Sequence, residues 1–124
     1  MTPLLQVALG GALGASGRYL TGLWAARLLG KDFPWGTLIV NVAGSFAMGV
    51  IVVVLLHLTD NRYAPLLMTG VLGGFTTFSA FSLDAVTLYE RGAVAVAAGY
   101  VLASVVLSIG ALFAGLLFAR SIVT

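Results

Sequence analysis

The sequence predicts an all-α integral membrane protein with four transmembrane helices. Two observations carry that reading. Of its 124 residues 60% are hydrophobic and 8% are charged, with a mean hydropathy of +1.11, whereas soluble domains carry about 25% charged residues. Apolar stretches also recur along the chain at the length of about 20 helical residues that a hydrocarbon core of about 30 Å demands. The six Lys and Arg and four Asp and Glu residues are too few to hydrate the surface of a globule of this size. An ordinary cytosolic enzyme, a disordered tail and a nucleic-acid binder are therefore excluded. The net charge of +2 rests on Arg18, Arg27, Lys31, Arg62, Arg91 and Arg120, which are scattered and make no basic patch. Cysteine is absent, which removes disulfides and thiolate metal sites.

The first span, over 4–28, is free of charge from Met1 to Gly17, resumes after Arg18 and ends near Arg27. Met1 to Gly11 holds no Lys or Arg, so the segment is not expected to be a cleavable signal peptide. The second span, 34–58, has no ionisable side chain from Phe33 to Leu56. The third and fourth are expected over 63–88 and 92–119. The connections Arg27–Asp32, His57–Arg62 and Asp84–Arg91 are short and polar, so residues 1–124 read as one domain. Trp24, Trp35, Tyr63 and Tyr89 stand at span ends, where amphipathic rings favour the headgroup level.

With four spans, Arg62 and Arg120 share one side, and Arg27, Lys31 and Arg91 share the other. Orientation follows the excess of Lys and Arg in short loops. So small a bias permits insertion both ways, and opposite orientations then pair as an antiparallel dimer. A single orientation set by one extra charge is the other reading, and the count does not decide between them.

Inside the spans, Gly10 with Gly14 forms a G-x-x-x-G, and Gly110/Ala114 and Ala111/Gly115 are small-xxx-small pairs. Such spacing lets helix backbones approach closely in lipid, where no hydrophobic effect drives them together. The third span contains Gly73-Gly74-Phe75-Thr76-Thr77-Phe78-Ser79-Ala80-Phe81-Ser82. Adjacent glycines weaken a helix, and Ser or Thr hydroxyls satisfy carbonyls freed by a break. A helix broken near the membrane midplane lines an ion site in many transporters; a glycine-tolerant packing helix is the alternative.

Phe75, Phe78 and Phe81 recur every third residue, on broadly similar helix faces. An aromatic ring has a positive edge, so ring edges in a narrow pore solvate an anion without a fixed charge. Bulk packing is the rival explanation for these rings. Asn41 places an amide in the second span, as interhelical glue or as a pore donor. Tyr100, Ser104 and Ser108, at i, i+4 and i+8, make a hydroxyl stripe on the fourth. Neutral donors without a buried acid suit an anion better than a cation. No His, Asp and Glu grouping has metal-ligand spacing and no G-x-S-x-G is present, so no enzyme is expected.

Gly-Ala-Ser-Gly-Arg-Tyr ending at Tyr19, Gly-Thr-Leu-Ile-Val-Asn ending at Asn41 and Gly-Gly-Phe-Thr-Thr-Phe-Ser-Ala-Phe-Ser ending at Ser82 together resemble the bacterial fluoride channel family known as Fluc or CrcB. The resemblance spans essentially the whole chain, and the last two motifs together are highly specific. It implies a multi-pass protein of the bacterial inner membrane, a dual-topology antiparallel homodimer with two fluoride pores along the subunit interface. It further implies a structural sodium ion at the dimer centre, held by backbone carbonyls of the positions matching Gly73 and Thr76. Phe78 and Phe81 match the residues whose ring edges line the pores; Asn41, Tyr100, Ser104 and Ser108 match polar pore groups. Arg18 matches an arginine at the end of the first helix, read as structural or anion-attracting. Ala80 departs from the hydroxyl that relatives often carry there and thins the polar track; Asp84 stands where relatives often have Glu. The expected activity is passive, selective export of cytoplasmic fluoride. Two alternatives are a proton-coupled multidrug transporter, which needs a membrane-embedded carboxylate, and a non-transporting assembly subunit.

Overall fold

Thr2 caps the first helix through its hydroxyl, which accepts from Leu5 N–H at 3.1 Å, and Pro3 supplies the first helical φ; both are strong helix-start signals. The structure is a computed structural model describing residues 1–58 and 60–123. Helix α1 runs over Pro3–Leu29 and stops at Gly30, whose φ of 84° suits glycine. Helix α2 follows over Trp35–His57. A short connection then leads into α3, which winds π-fashion over Pro65–Leu72 and closes with one α-turn, Gly73–Phe75. Thr76 and Thr77 are extended, at φ/ψ of −90°/158° and −152°/124°. Helix α4 restarts at once over Phe78–Glu90, and α5 runs over Val94–Val123.

At about 1.5 Å per residue, α3 and α4 together span about 36 Å, the reach of one long helix interrupted in its middle. Helix α5, with 30 residues, is about 45 Å long. Trp35–His57, Pro65–Glu90 and Val94–Val123 are long and apolar enough to cross a membrane. The sequence expects a fourth crossing in α1. That helix has the length, at 27 residues, but not the hydropathy, because Gln6, Ser16, Arg18 and its glycines dilute the apolar content. Two of those polar residues are spent on α3, as described below.

The chain packs as two helix pairs, α2 against α5 and α1 against α3, with α4 lying on α5. Leu38, Leu88, Ala97 and Tyr100 form a buried cluster, with Phe33, Val42, Phe81 and Ala85 around it. Much of the outer surface stays apolar: Leu13, Leu20, Leu102, Val106, Phe113 and Leu117 are all more than half exposed. In lipid such a surface costs nothing, since hydrocarbon is as apolar as the side chains. At the α2–α3 connection the Arg62 side chain hydrogen-bonds Asp60, holding its carboxyl below the usual carboxylate range, and the Arg62 N–H adds to this. Both side chains are exposed, so the pair is a local clasp of little energetic weight.

The α2–α5 pair depends on backbone contact. A Cβ on Gly115 would lie 2.2 Å from Phe46 O, and one on Gly49 would lie 2.3 Å from Leu112 O. Neither neighbour is a side chain that can swing away. Gly115→Ala is therefore expected to lower stability by about 1–3 kcal/mol, the usual cost of overpacking. Thermal unfolding in detergent micelles measures it.

Candidate functional site

The interruption at Thr76 and Thr77 exposes peptide groups that a continuous helix would have paired internally. In a bilayer each must find a partner inside the protein. Asn41 of α2 supplies two at once. Its Nδ2 donates to Thr77 O at 2.9 Å, and its Oδ1 accepts from Thr77 N–H at 2.8 Å. A carboxamide carries the donor and acceptor of a peptide unit, so it stands in for the missing turn. Thr76 Oγ1 donates back to Leu72 O at 2.9 Å, beside the Thr76 N–H on the same carbonyl at 3.0 Å. Thr77 Oγ1 accepts from Ala80 N–H at 3.1 Å and so caps α4.

The break sets α4 at the floor of a groove of about 360 Å³ between α2 and α5. Asn41, Phe78, Phe81, Ser104 and Ser108 line it, together with Thr76 and Thr77. Its remaining lining is Gly44, Ser45 and the apolar Met48, Val105, Ile109 and Leu112. No carboxylate lines this groove. The rings of Phe78 and Phe81 lie 5.6 Å apart and are tilted by 50°, and Phe78 is 78% exposed. The first residues of α4 also turn their N–H ends, the positive end of the helix dipole, toward the break.

Tyr100 differs from the two serines of its stripe. It is fully buried, packs 5.3 Å from the Phe81 ring, and its hydroxyl donates to Asp84 Oδ2 at 3.2 Å. The stripe therefore divides: Ser104 and Ser108 line the groove, while Tyr100 sits behind Phe81. Ser104 Oγ is buried with no hydrogen-bond partner among the described residues. A buried hydroxyl left unpaired at a groove wall is a donor open to a polar occupant.

Arg18 lies outside the groove. Its Nε donates to Gly74 O at 3.1 Å, at the last turn of α3. It also lines a smaller cavity of about 270 Å³ with Thr37, Thr77 and Ala80. Gly73 opens the last turn before the break and Thr76 lies within it, and none of the hydrogen bonds among the described residues outside the helices uses either carbonyl. Carbonyl oxygens of this kind fit a hard cation. Among the described residues no group of three or more His, Cys, Asp or Glu side chains is placed to hold a metal.

Two functional residues escape sequence reasoning. Thr77 does double duty, with its backbone on Asn41 and its hydroxyl as a cap; a Thr standing directly before a renewed apolar helix is the signal that marks it. The sequence sets Asp84 at the start of the third connection, whereas it lies within α4, and only the packing of α4 on α5 pairs it with Tyr100. The Asn41 clamp yields a direct expectation. Asn41→Ala strands both Thr77 peptide groups and lowers stability by about 2 kcal/mol or more. Asn41→Asp keeps the acceptor but faces a carboxylate to Thr77 O, and destabilises at least as much; thermal unfolding of both variants checks this.

Comparison with known proteins gives a consistent picture. The family model described as CrcB-like protein, Camphor Resistance (CrcB), matches residues 5–116. The chain is 68% identical over 120 residues to a protein of Cereibacter sphaeroides named fluoride-specific ion channel FluC, covering 97% of this chain and 96% of the relative. Proteins of the same name in Paracoccus denitrificans and Agrobacterium fabrum are 57% and 55% identical, over 95% and 98% of this chain and 94% and 99% of theirs.

Proposed function

Because the chain belongs to the CrcB family, we propose that it is a fluoride-selective passive ion channel that exports fluoride from the bacterial cytoplasm. The family is one of channels and not of enzymes. The observation that carries the reading on this chain is the groove that gathers Asn41, Phe78, Phe81, Ser104 and Ser108 beside the break with no carboxylate among its lining.

Fluoride is small, strongly hydrated and a strong hydrogen-bond acceptor. Removing an ion from water is far costlier than burying a neutral group, so a conducting path has to replace the lost contacts while binding weakly enough to release the ion. Neutral donors meet both demands. In this reading the second Asn41 Nδ2 hydrogen and the Ser104 and Ser108 hydroxyls donate to the ion. The edges of Phe78 and Phe81 supply further positive potential. Tyr100 braces Phe81 from behind, and Asp84 holds the Tyr100 hydroxyl. A fixed ammonium or guanidinium in the same place would trap the anion.

The proposal extends to assembly. Two chains in opposite orientation form the dimer, with α1 completing four crossings per chain in the inner membrane. Two pores run along the subunit interface. The exposure of Phe78 on an open groove supports a second copy as the missing wall. The backbone carbonyls of Gly73 and Thr76 would hold a sodium ion at the dimer centre, which would supply a structural positive charge there.

Purified protein in liposomes loaded with fluoride and chloride is expected to release fluoride alone, with no requirement for a proton gradient. Comparable chloride release would sink the selectivity claim, and dependence on a proton gradient would favour a coupled transporter. Phe81→Ile removes a ring edge from the path. If that edge lowers the barrier by about 1.4 kcal/mol, throughput falls about tenfold while the dimer persists on size exclusion. A fluoride-selective electrode reads the rate.

A further inference from the structure

We propose that Arg18 is a positioning residue that latches the end of α3 and thereby sets which carbonyls of the break stay open. Gln6, Gly10, Gly14 and Arg18 stand four residues apart on α1, along one ridge of that helix. Every one of them meets α3. Gln6 Oε1 accepts from Leu66 N–H at 3.2 Å, satisfying a donor that the first turn of a helix leaves unpaired. A Cβ on Gly10 would lie 2.5 Å from Leu66 O, and one on Gly14 would lie 2.0 Å from Val71 O. The two backbones therefore touch between the polar ends of the ridge. Arg18 closes the other end through Nε on Gly74 O.

This ridge splints a helix that needs support. Its winding over Pro65–Leu72 is π-type, which is rare and appears mostly as short insertions at functional sites. Its last turn ends in two extended residues. A helix C-terminus carries partial negative charge, which a cation complements; the Arg18 guanidinium is that cation.

The hydrogen bonds around the break give the latch its consequence. Leu72 O takes the N–H and hydroxyl of Thr76, Gly74 O takes Arg18, and Thr77 O takes Asn41. From Gly73 to Thr76 the carbonyls of Gly73, Phe75 and Thr76 are left over among these bonds, and those of Gly73 and Thr76 are the two proposed to face the central cation. Of the two carbonyls between them, Arg18 removes that of Gly74 from competition. The significance of those two carbonyls rests on the channel reading; the latch itself does not.

Hydrogen–deuterium exchange on the full chain in lipid nanodiscs, in N-methylglucamine chloride free of sodium and fluoride, tests it. Arg18→Gln is expected to speed exchange of the Phe75–Thr77 amides by about 10- to 100-fold, the loss of one charge-assisted hydrogen bond, with α5 amides unchanged. Arg18→Lys keeps the charge but lacks Nε, and is expected to leave those amides faster than in the parent protein. If Arg18→Gln does not fold, Arg18→Lys alone decides. Parental exchange at Phe75–Thr77 in the folded variants, with fluoride efflux lost in the neutral variant and restored by Lys, would overturn the latch and make Arg18 an anion lure. Because exchange is read without fluoride, absence of channel activity in the parent protein would refute the channel reading and leave the latch standing.

Discussion

The pair of hydrogen bonds between the Asn41 carboxamide and the Thr77 peptide is the constraint from which the rest of the structure follows. A transmembrane helix is tolerated by lipid because it satisfies its own backbone. Interrupting one frees donors and acceptors that no lipid can solvate. Asn is the shortest side chain offering an amide donor and an amide acceptor in one plane, so a single residue answers both groups of Thr77. Leu or Ala at position 41 would answer neither, and Asp would answer one. With Thr77 held, α4 begins at Phe78, and its phenylalanines reach the groove floor where α2 and α5 leave room.

The same requirement explains the composition of α1. Helix α2 is strongly apolar apart from Asn41 and a few hydroxyls. By contrast, α1 places a carboxamide and a guanidinium at the two ends of its contact with α3, separated by glycines that bring the backbones together. Its reduced hydropathy is therefore the counterpart of the irregular helix beside it. The irregular element and its splint make one unit, and neither pattern is intelligible without the other.

Most of the fold was legible in the sequence, for a physical reason. Hydropathy marks helices in lipid because the solvent itself is apolar, and paired glycines before two threonines announce an interruption. Residue chemistry singled out Asn41, Phe78, Phe81, Ser104 and Ser108, which the structure gathers in one groove, but left bulk packing and interhelical bonding open as their alternatives. What escaped depends on neighbours distant in sequence. Periodicity sets Tyr100, Ser104 and Ser108 on one face, but only the packing of α4 decides that Tyr100 is covered and that Asp84 receives its hydroxyl. Gln6 drew no attention because a polar residue near a chain end is unremarkable until Leu66 N–H is found against it. The π winding left no mark in composition that separates it from an ordinary helix.

The distribution of charge extends the argument to assembly. Arg91 Nη2 donates to Asp32 O at 2.8 Å, which ties the α1–α2 connection to the α4–α5 connection at one end of the molecule. At the other end Arg62 is engaged by Asp60. Topology is counted in Lys and Arg near the ends of spans, and the two ends differ by only one such residue. A chain proposed to insert both ways needs that near-equality. It also needs a surface that serves equally well in either orientation, and an apolar exterior without a directional charge pattern provides it. The anion path imposes the same economy of charge inside the protein, because a fixed cation in the groove would hold the ion and a fixed anion would exclude it. A neutral groove and balanced ends are thus two expressions of one restriction: formal charge is kept off the proposed ion path and nearly equal at the two ends.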